Sequence, residues 1–331
     1  MVNTINWGMI GCGDVTELKS GPAFSKVPNS KLLAVMSRNA DRAADYARRH
    51  QVDRWYDDAA KLIADPQVNA IYIATPPDAH EELALAAIHA GKPVYVEKPM
   101  SLHAGAGQNM QEAAAAAGVK LTVAHYRRQQ PVFKRIKELL DEKAIGDIRY
   151  VNLEFYEPAL SAEALQVPKT KWRVDPTVSG GGLFHDLAPH QIDLMLYFFG
   201  HIEQSTGLSV NQAGLYPADD LVSGVIRFNN RVIFNGIWCF SASERKDKCE
   251  IVGTAGSISF PVFGTPAIEL LQDGRTEIIH FEPLQHVQEP MIGETVRYFL
   301  NEAPNPCPAS AGVAVMAVID SFTVHAKKNR I

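Results

Sequence analysis

Short apolar runs alternate with helical patterns through the first 124 residues. The runs end in turn residues, and the segments between them carry apolar side chains at helical spacing. Strands are expected at residues 5–10, 31–36, 70–74, 94–96 and 121–124, and helices from near residue 17 and at 40–50, 57–64, 78–90 and 103–117. This alternation predicts an α/β fold with a doubly wound parallel sheet. Ligands bind such sheets at the carboxyl ends of the strands.

The pattern changes near His125. A helix is expected at residues 131–142, then strands at 148–157, 206–211, 221–228, 232–240, 250–253 and 257–261, and closing helices at 291–300 and 312–327. Asn229-Asn230 and Asp273-Gly274 are hairpin turn signals. We therefore predict a first domain, with the parallel sheet, over residues 1–124. Residues 125–331 should form an α+β domain with a large, mainly antiparallel open sheet.

The turn after the first strand has the spacing of a dinucleotide-binding loop. Gly11 and Gly13 allow a tight turn and a close approach to a pyrophosphate. The following helix would present its first residues, Asp14 and Val15, to the phosphates. The third position of the fingerprint is Thr16 rather than glycine, so a plain strand–helix turn is the alternative. Its place between a first strand and a helix favours the dinucleotide site.

The end of the second strand favours NADP over NAD. Sites that prefer NAD usually place a carboxylate here to bind the ribose hydroxyls. This chain has Ser37 and Arg38 instead, with Arg42 one turn further on. A hydroxyl and two guanidinium groups suit a 2′-phosphate, which arginine holds with a planar fork. The alternative is that both arginines are solvated helix charges paired with Asp41 or Asp45.

Two further loops belong to the predicted ligand edge. Thr75 and Pro76 follow one apolar strand, and Glu97 and Lys98 follow the next. Pro99 restricts Lys98 to an extended conformation. We expect these residues to contact the cofactor, and Lys98 to reach the substrate as well. A solvated loop lysine is the alternative.

Residues 180–199 carry the candidate chemistry of the second half. A glycine triplet leads into a helical pattern that places Asp186, His190 and Asp193 on one polar stripe. Pro189 would remove one helical hydrogen bond, and broken local rules are common at functional sites. The alternative is a capped helix in which His190 is a core or surface residue.

Composition excludes several classes of partner. Charged residues make up 21% of the 331 and the formal net charge is −5, so there is no basic surface for nucleic acid or a membrane. No run approaches the roughly 20 apolar residues that span a bilayer, and the N-terminus has no signal-peptide pattern. The four cysteines are scattered, which is typical of a cytoplasmic protein with reduced thiols: Cys12, Cys239, Cys249 and Cys307.

No metal site is expected. His185, Asp186, His190 and His201 could supply ligands, yet their spacing matches no recurring metal motif. On a helix, His185 points about 100° away from Asp186. This direction favours a structural role for His185 over a contact with substrate.

Four motifs together resemble the glucose–fructose oxidoreductase / inositol dehydrogenase / rhizopine-catabolism (Gfo/Idh/MocA) family. They are Gly11-Cys12-Gly13, Ala74-Thr75-Pro76-Pro77, Glu97-Lys98-Pro99 and Gly181-Gly182-x-x-x-Asp186-x-x-x-His190-x-x-Asp193. The resemblance covers nearly the whole chain. It implies an N-terminal Rossmann domain and NAD(P)-dependent hydride transfer with sugars, polyols or related alcohols. It also implies a homodimer or homotetramer formed through the open C-terminal sheet.

The resemblance also implies roles for individual residues. Lys98 matches the lysine of the family's Glu-Lys-Pro motif, and Asp186 and His190 match the acid and the histidine of its second catalytic motif. Hydride transfer from an alcohol leaves a proton that the protein must take. We predict His190 as the main acid/base, Lys98 as the group that orients the substrate, and Asp186 as a substrate ligand or an orienter of His190. In the alternative, Lys98 carries the proton.

Other matches to the family concern binding. Arg127 or Arg128 matches a family arginine that follows the Rossmann part, and Arg127 is the predicted substrate contact. Trp172-Arg173 resembles a pair that lies near the cofactor in some members. Tyr126 stands where many members have asparagine, and this departure bears on the identity of the substrate.

Three other functions compete with a sugar oxidoreductase that prefers NADP. The first is a dihydrodiol or xylose dehydrogenase-like activity on the same fold. The second is a catalytically silent, dinucleotide-sensing regulator, which the presence of Lys98 and His190 disfavours. The third is a module that binds acidic sugars without turnover, using Arg173 and the pair Arg127-Arg128.

Overall fold

Two compact units make up the chain in the computed structural model, which describes residues 3–328 and the side chains of residues 3–323. The first unit contains residues 3–130 together with 284–313, and the second contains 131–283 and the chain from 314 onward. The first unit therefore includes a late segment that the sequence analysis assigns to the second domain. The ends of the two predicted domains, residues 1–2 and 329–331, lie outside the described residues.

The first unit is built on a six-stranded parallel sheet. Its strands are β1 Ile5–Ile10, β2 Ser30–Met36, β3 Arg54–Tyr56, β4 Ala70–Ile73, β5 Val94–Val96 and β6 Leu121–Val123. Its first helices are α1 Asp14–Leu18, α2 Ala40–His50, α3 Ala59–Ala64, α4 His80–His89 and α5 Ala104–Ala117, with 3-10 helices at Gly21–Ser25, Pro77–Ala79 and Tyr126–Gln129. The strand order β3-β2-β1-β4-β5-β6 is that of a Rossmann sheet. The predicted doubly wound parallel sheet is confirmed.

Burial explains which segments the sequence pattern finds and which it misses. Every residue of β4 and β5 is buried, as in strands covered on both faces. β3 is a three-residue edge strand, too short to produce a pattern. Helix α3 begins at Ala59, later than the predicted residue 57, because the Asp58 carboxylate accepts from the N–H of Ala60 at 2.8 Å and caps the helix there.

The second unit is built on an eight-stranded sheet. Its helices are α6 Pro131–Asp141, α7 Ala162–Gln166, α8 Pro168–Lys171, α9 Pro176–Ser179 and α10 Leu183–Phe199, with a 3-10 helix at Trp172–Val174. Its strands are β7 Ile148–Pro158, β8 Ile202–Val210, β9 Leu221–Phe228, β10 Ile233–Ala242, β11 Lys246–Gly253, β12 Gly256–Phe260, β13 Ala267–Gln272 and β14 Arg275–His280. Two helices follow, α11 Glu289–Phe299 in the first unit and α12 Ala309–Lys328, which contributes residues to both.

This second sheet has the order β14-β13-β12-β11-β7-β10-β9-β8. Among the described strands, β7 and β10 pair in parallel and the other neighbours are antiparallel. The predicted large, mainly antiparallel sheet is confirmed. Asp273 and Gly274 both have positive φ between β13 and β14, as a two-residue hairpin turn requires.

One face of the second sheet carries the core of the unit. In β9, every second residue from Val222 to Phe228 is buried, and the three residues between them, Ser223, Val225 and Arg227, are exposed. Gly207 and Gly224 lie opposite each other on β8 and β9, and a Cβ at either would overlap or crowd the ring of Phe322 from α12. Glycine in a strand often marks such a close approach. Of the helices that the structure describes, none is long and apolar enough to cross a membrane.

Candidate active site

The turn that follows β1 lies close to the end of β4. Gly11 has a φ of 113°, and a Cβ there would lie 2.6 Å from the carbonyl oxygen of Ala74. Only glycine fits this position. The other side of the turn is open, because a Cβ at Gly13 would meet nothing within 4 Å. The N–H groups of Asp14 and Val15 donate to no other described residue, so the turn fits a phosphate.

Cys12 lies within this turn as an unreactive thiol. Its Sγ lies 3.6 Å from the carbonyl oxygen of Met36, and the residue is buried. Burial, with a smaller contribution from Glu17, raises the pKa of Cys12 to about 12. The positive charges of Arg42 and Arg49 oppose this rise in the pKa. A protonated, buried thiol is a space-filling residue and no nucleophile.

Arg38 and Arg42 are exposed beside the end of β2. Neither forms an ion pair within residues 3–323. Asp45, a partner in the alternative explanation, binds Arg48 at 2.5 Å and Arg49 at 2.6 Å instead. Two arginines without a protein anion at this strand end fit an anionic group of a ligand.

Ser37 and the start of α2 form one ordered turn. The side chain of Asn39 caps α2 by accepting from the N–H of Arg42 at 3.0 Å. The N–H of Asn39 approaches the Ser37 hydroxyl at 3.3 Å. The structure thus brings Ser37, Arg38 and Arg42 together at the carboxyl end of β2.

Two more loops leave the same edge from β4 and β5. Ile73 and Val96 are paired at the ends of these strands, so the loops at Thr75 and Lys98 begin side by side. The Thr75 hydroxyl is buried and has no hydrogen-bond partner in the described part of the chain. Buried hydroxyls without a partner are rare, and this one fits a polar group of a ligand. Pro76 is half-buried next to it.

His80 connects these two loops, and the sequence analysis misses it. Its Nδ1 lies 2.9 Å from the carbonyl oxygen of Pro99, and its Nε2 lies 2.9 Å from that of Thr75. The ring is fully buried. Burial lowers the pKa of His80, and the two carbonyl oxygens oppose that shift. In the sequence His80 has only the helical pattern around it as a signal, which does not distinguish it from a surface residue.

The Glu97 side chain is buried and bonds the main chain of Lys98. Its Oε2 accepts from the N–H of Lys98 at 3.1 Å, and its Oε1 accepts from the Tyr72 hydroxyl and the Gln288 amide, both at 2.6 Å. Three protein donors therefore occupy the carboxylate. The predicted contact of Glu97 with the cofactor stays a prediction, and its observed bonds hold the main chain of Lys98. The peptide bond between Lys98 and Pro99 is cis.

Arg127 lies in the 3-10 helix Tyr126–Gln129 after β6. Its guanidinium carbon lies 5.6 Å from the centre of the Tyr126 ring, and the side chain is half-buried. Arg128, the other match to the family arginine, is buried. The greater exposure of Arg127 agrees with its selection as the predicted substrate contact, which stays a prediction.

Helix α10 carries the predicted residues of the second unit. It runs unbroken from Leu183 to Phe199 with Pro189 inside it. Asp186 is half-buried, whereas His190 and Asp193 are only 5% and 1% exposed. The polar stripe is thus largely withdrawn from solvent, as expected for groups that serve a site or satisfy one another.

His185 and His190 both pack against aromatic rings. The His185 ring meets Phe184 edge-on at 5.8 Å, and a Cβ at Gly181 would overlap the imidazole. The His190 ring meets Phe263 edge-on at 5.6 Å. The glycine before α10 therefore makes room for His185, which supports the structural role predicted for that residue.

The loop that carries Phe263 is held by one carboxylate. Asp247 accepts from the N–H groups of Val262 at 3.0 Å, Phe263 at 2.6 Å and Gly264 at 3.0 Å. This ordered loop places the Phe263 ring against His190. The sequence gives no signal for it, because Asp247 lies in β11 and the loop follows β12.

Trp172 and Arg173 are linked to Asp186. Arg173 Nε donates to Asp186 Oδ2 at 3.0 Å, and the same guanidinium bonds the carbonyl oxygen of Lys169. The guanidinium carbon stacks 4.6 Å from the Trp172 ring. These contacts join three predicted residues in one cluster. The predicted cofactor contacts of Trp172 and Arg173 stay predictions.

Among the side chains of residues 3–323, no group of three or more His, Cys, Asp or Glu could hold a metal ion. The four cysteines, all in the described part of the chain, form no disulfide with one another.

Two protein-family models match the chain. Residues 5–125 match an oxidoreductase family model with an NAD-binding Rossmann fold, and residues 133–259 match a GFO/IDH/MocA C-terminal domain. An oxidoreductase of Formosa agariphila is 46% identical over 97% of this chain and 99% of its own length. The 1,5-anhydro-D-fructose reductase of Ensifer adhaerens is 28% identical over 76% of this chain and 74% of its own length.

Solved structures share the fold at low sequence identity. A levoglucosan dehydrogenase in complex with NADH and levoglucosan superposes with a TM-score of 0.86 at 22% identity, covering 96% of each chain. The aldose–aldose oxidoreductase of Caulobacter crescentus, in complex with glycerol, has a TM-score of 0.86 at 18% identity, also over 96% of each chain. At these identities the likeness establishes the fold.

Proposed function

The chain belongs to the GFO/IDH/MocA family of NAD-binding oxidoreductases, and from this premise we propose that it transfers a hydride between NADP(H) and a sugar, a polyol or a sugar-derived ketone. The observation that carries the cofactor preference is the pair Arg38 and Arg42, exposed at the end of β2 without a protein anion. With Ser37 they supply the donors that a 2′-phosphate needs.

The remaining cofactor contacts follow from the same edge of the sheet. Gly11 and Gly13 leave room for the pyrophosphate, and the free N–H groups of Asp14 and Val15 would bind it. The Thr75 hydroxyl, buried without a partner in the described part of the chain, would bind a polar group of the dinucleotide, and Pro76 beside it would contact the cofactor.

Residues of the chain would handle the proton and the substrate. When bound, the nicotinamide accepts or supplies the hydride. We assign the proton to His190, because an imidazole exchanges protons near neutral pH in either direction. Lys98 would hold the substrate oxygen and stabilise negative charge on it. Asp186 and Arg127 would bind substrate hydroxyls. The alternative assignment gives the proton to Lys98.

The relatives favour small oxygenated ring compounds as substrates. Those named include a reductase of 1,5-anhydro-D-fructose and dehydrogenases of trans-1,2-dihydrobenzene-1,2-diol. A structural neighbour is a levoglucosan dehydrogenase. A cyclic polyol or its ketone is therefore the leading substrate class, and a dihydrodiol or xylose dehydrogenase-like activity is the second candidate. A silent, dinucleotide-sensing regulator is the third.

Fluorescence titration with NADPH and NADH tests the cofactor proposal. We expect NADPH to bind at least about tenfold more tightly than NADH, since each charge-assisted bond to the phosphate contributes about 1.5–3 kcal/mol. Arg42→Ala should remove most of this preference, and Arg48→Ala, an exposed arginine of the same helix, should leave it unchanged. Equal binding of both cofactors would reject the 2′-phosphate site. Turnover of NADPH with a panel of ketoses and of NADP with polyols and dihydrodiols then separates the three functions.

We also propose that the open face of the second sheet joins two or four copies of the chain. Large apolar side chains remain exposed in its strands, including Leu208 at 70% and Val225 at 39%. Such exposed apolar surface is typical of an interface. We further propose that the protein is cytoplasmic, because its four free thiols would stay reduced in that compartment.

A further inference from the structure

A continuous chain of hydrogen bonds, buried at its centre and partly buried at its ends, leads to Lys98. The hydroxyls of Tyr72 and Ser20 lie 3.0 Å apart, and the N–H of Ser20 donates to the carbonyl oxygen of Val15 at 3.2 Å. Because Tyr72 also donates to Glu97, the chain of bonds runs from α1, beside the dinucleotide turn, to the N–H of Lys98. Both ends lie at the ligand edge of the sheet.

Gln288 enters this chain from a distant part of the sequence. It lies 191 residues from Glu97 and immediately precedes α11. Its side chain is fully buried, its Oε1 lies 3.4 Å from the Tyr95 hydroxyl, and its backbone N–H donates to the carbonyl oxygen of Lys19 at 3.3 Å. Gln288 is therefore held at its backbone N–H and at its side-chain oxygen, and its side-chain nitrogen donates to the Glu97 carboxylate.

The bonds of Glu97 leave it no freedom to turn. Its Oε1 accepts from Tyr72 and Gln288, so the second oxygen is directed at the N–H of Lys98. The carboxylate is 5% exposed, and water cannot replace a lost donor without entering the core. Removal of one donor leaves a buried carboxylate partly unsatisfied, which is costly.

We propose that Gln288 is a positioning residue for Lys98, which acts through Glu97 to fix the main chain of the lysine at the ligand edge. This inference rests on the proposed role of Lys98 in orienting the substrate. Gln288 itself contacts neither cofactor nor substrate in this account.

Gln288→Glu is the most direct test, because it keeps the shape of the side chain and replaces the donor with a second carboxylate. Two carboxylates in contact share a proton, and one of the two pKa values rises. At pH 8 we expect kcat to fall about tenfold or more, with the KM and the NADPH Kd changed less than about threefold. As the pH is lowered towards 6, the shared proton should restore the bond and most of kcat. Gln288→Leu should show the loss without the recovery.

Amide hydrogen exchange supplies a readout that does not depend on turnover. The N–H of Lys98 is itself bonded to Glu97, so peptides covering residues 97–101 should exchange at least about tenfold faster in Gln288→Glu at pH 8 than in the wild type, and at the wild-type rate near pH 6 after correction for intrinsic rates. Thr295→Val, in α11, is the matched control, and Tyr95→Phe is a graded variant. Because the Tyr95 hydroxyl bonds the Gln288 amide oxygen, this variant removes a smaller support of the same amide and should give a smaller increase in exchange than Gln288→Glu. Thr295→Val removes a buried hydroxyl of α11 that bonds the carbonyl oxygen of Met291, and it should change kcat less than twofold.

Two results would overturn the proposal. One is unchanged exchange at residues 97–101 in Gln288→Glu, whatever happens to kcat, and the other is a loss of kcat that does not depend on pH. If Gln288→Glu does not fold, Tyr72→Phe removes the other donor to the same oxygen and should give the faster exchange on its own. A wild-type protein that turns over no substrate of the panel refutes the proposed function, while exchange at residues 97–101 still decides whether Gln288 holds the loop.

Discussion

Glu97 of the first unit and Asp186 of the second are two carboxylates that are held in opposite ways. Glu97 is 5% exposed and accepts from uncharged donors on fixed elements of the first unit. Asp186 is half-buried and pairs with the guanidinium of Arg173, which lies in a 3-10 helix between short helices. Glu97 is thus part of the framework. Asp186 has a charged partner that is itself partly exposed.

This difference in partners suits Glu97 to ordering the chain around it and Asp186 to exchanging its partner. A carboxylate that is saturated by neutral donors orders the chain around it and cannot change partner without disrupting the core. An exchangeable ion pair of modest burial contributes little to stability and can reorganise on binding. The substitutions below are ordered from the largest expected effect to the smallest.

Removal of the proposed chemical groups should have the largest effect. We expect His190→Ala to lower kcat by about 100-fold to 10,000-fold, the usual contribution of a general acid/base. Lys98→Ala should lower kcat/KM as well, but the variant should keep the acid limb of the pH–rate profile that reports His190. Steady-state kinetics from pH 5 to 10 measures both. Near-normal turnover of His190→Ala together with an inactive Lys98→Ala would show that Lys98, and not His190, is the acid/base.

The two carboxylates should respond differently to truncation. Glu97→Ala removes the acceptor shared by Tyr72, Gln288 and the Lys98 N–H and leaves the buried Gln288 amide unsatisfied, so the free energy of unfolding should fall by at least about 2 kcal/mol. Asp186→Ala should change it by less than about 1 kcal/mol, because the Arg173 side chain is 32% exposed, yet turnover should fall at least about tenfold. Urea unfolding and kcat measured on both variants test the contrast. An equal loss of unfolding free energy in Glu97→Ala and Asp186→Ala would contradict the proposed difference between the two carboxylates.

The packing before α10 gives a smaller effect. A Cβ at Gly181 would overlap the His185 ring, so Gly181→Ala should lower the free energy of unfolding by about 1–3 kcal/mol through overpacking. Gly293→Ala is the matched control, because this glycine lies inside α11 with nothing within 4 Å of the added Cβ. The control should raise stability by about 0.5–1 kcal/mol. Urea unfolding of both variants gives the comparison, and a neutral Gly181→Ala would show that the imidazole can move.

His80 should give the smallest effect, visible as a pH dependence of stability. Its pKa in the folded protein is lowered, chiefly by burial, from the ordinary value of 6.5. The unfolded chain therefore binds more protons below that value, and the free energy of unfolding should fall as the pH drops from about 7 to 5. In His80→Gln this part of the slope should be absent, whereas His89→Gln, at the exposed end of the same helix, should keep it. An unchanged slope in His80→Gln would assign the dependence to other groups.

The sequence is sufficient to predict features that depend on local pattern. β4 and β5 are recognisable because every residue is apolar, and the dinucleotide turn because its glycines fall between a strand and a helix. Arg38 and Arg42 are predictable as cofactor candidates because they occupy the position where NAD-selective sites carry an acid. Lys98 and His190 are identified by the resemblance of their motifs to the family, and the roles assigned to them stay predictions.

Other features depend on contacts between distant segments. Gln288 has no local signal, because its importance comes from a carboxylate 191 residues away. Tyr72 looks like any other core residue of β4, although its hydroxyl is bonded. The ion pair of Arg173 with Asp186 joins a loop to a helix and has no periodic signature. The hydrophobic pattern likewise does not predict that residues 284–313 belong to the first unit.

The late position of Gln288 has a consequence for biosynthesis. A chain leaves the ribosome from its N-terminus, so the Rossmann strands and the Lys98 loop emerge long before residue 288. Until then Glu97 lacks one of its donors, and the loop that carries the lysine is incompletely ordered. The nascent first unit thus obtains this hydrogen bond only after residues 131–283 of the second unit have been synthesised. A chain that ends before Gln288 would keep the dinucleotide turn but lack one of the hydrogen bonds that order the Lys98 loop. Under this proposal, the loop is fully ordered only in a chain that extends past residue 288.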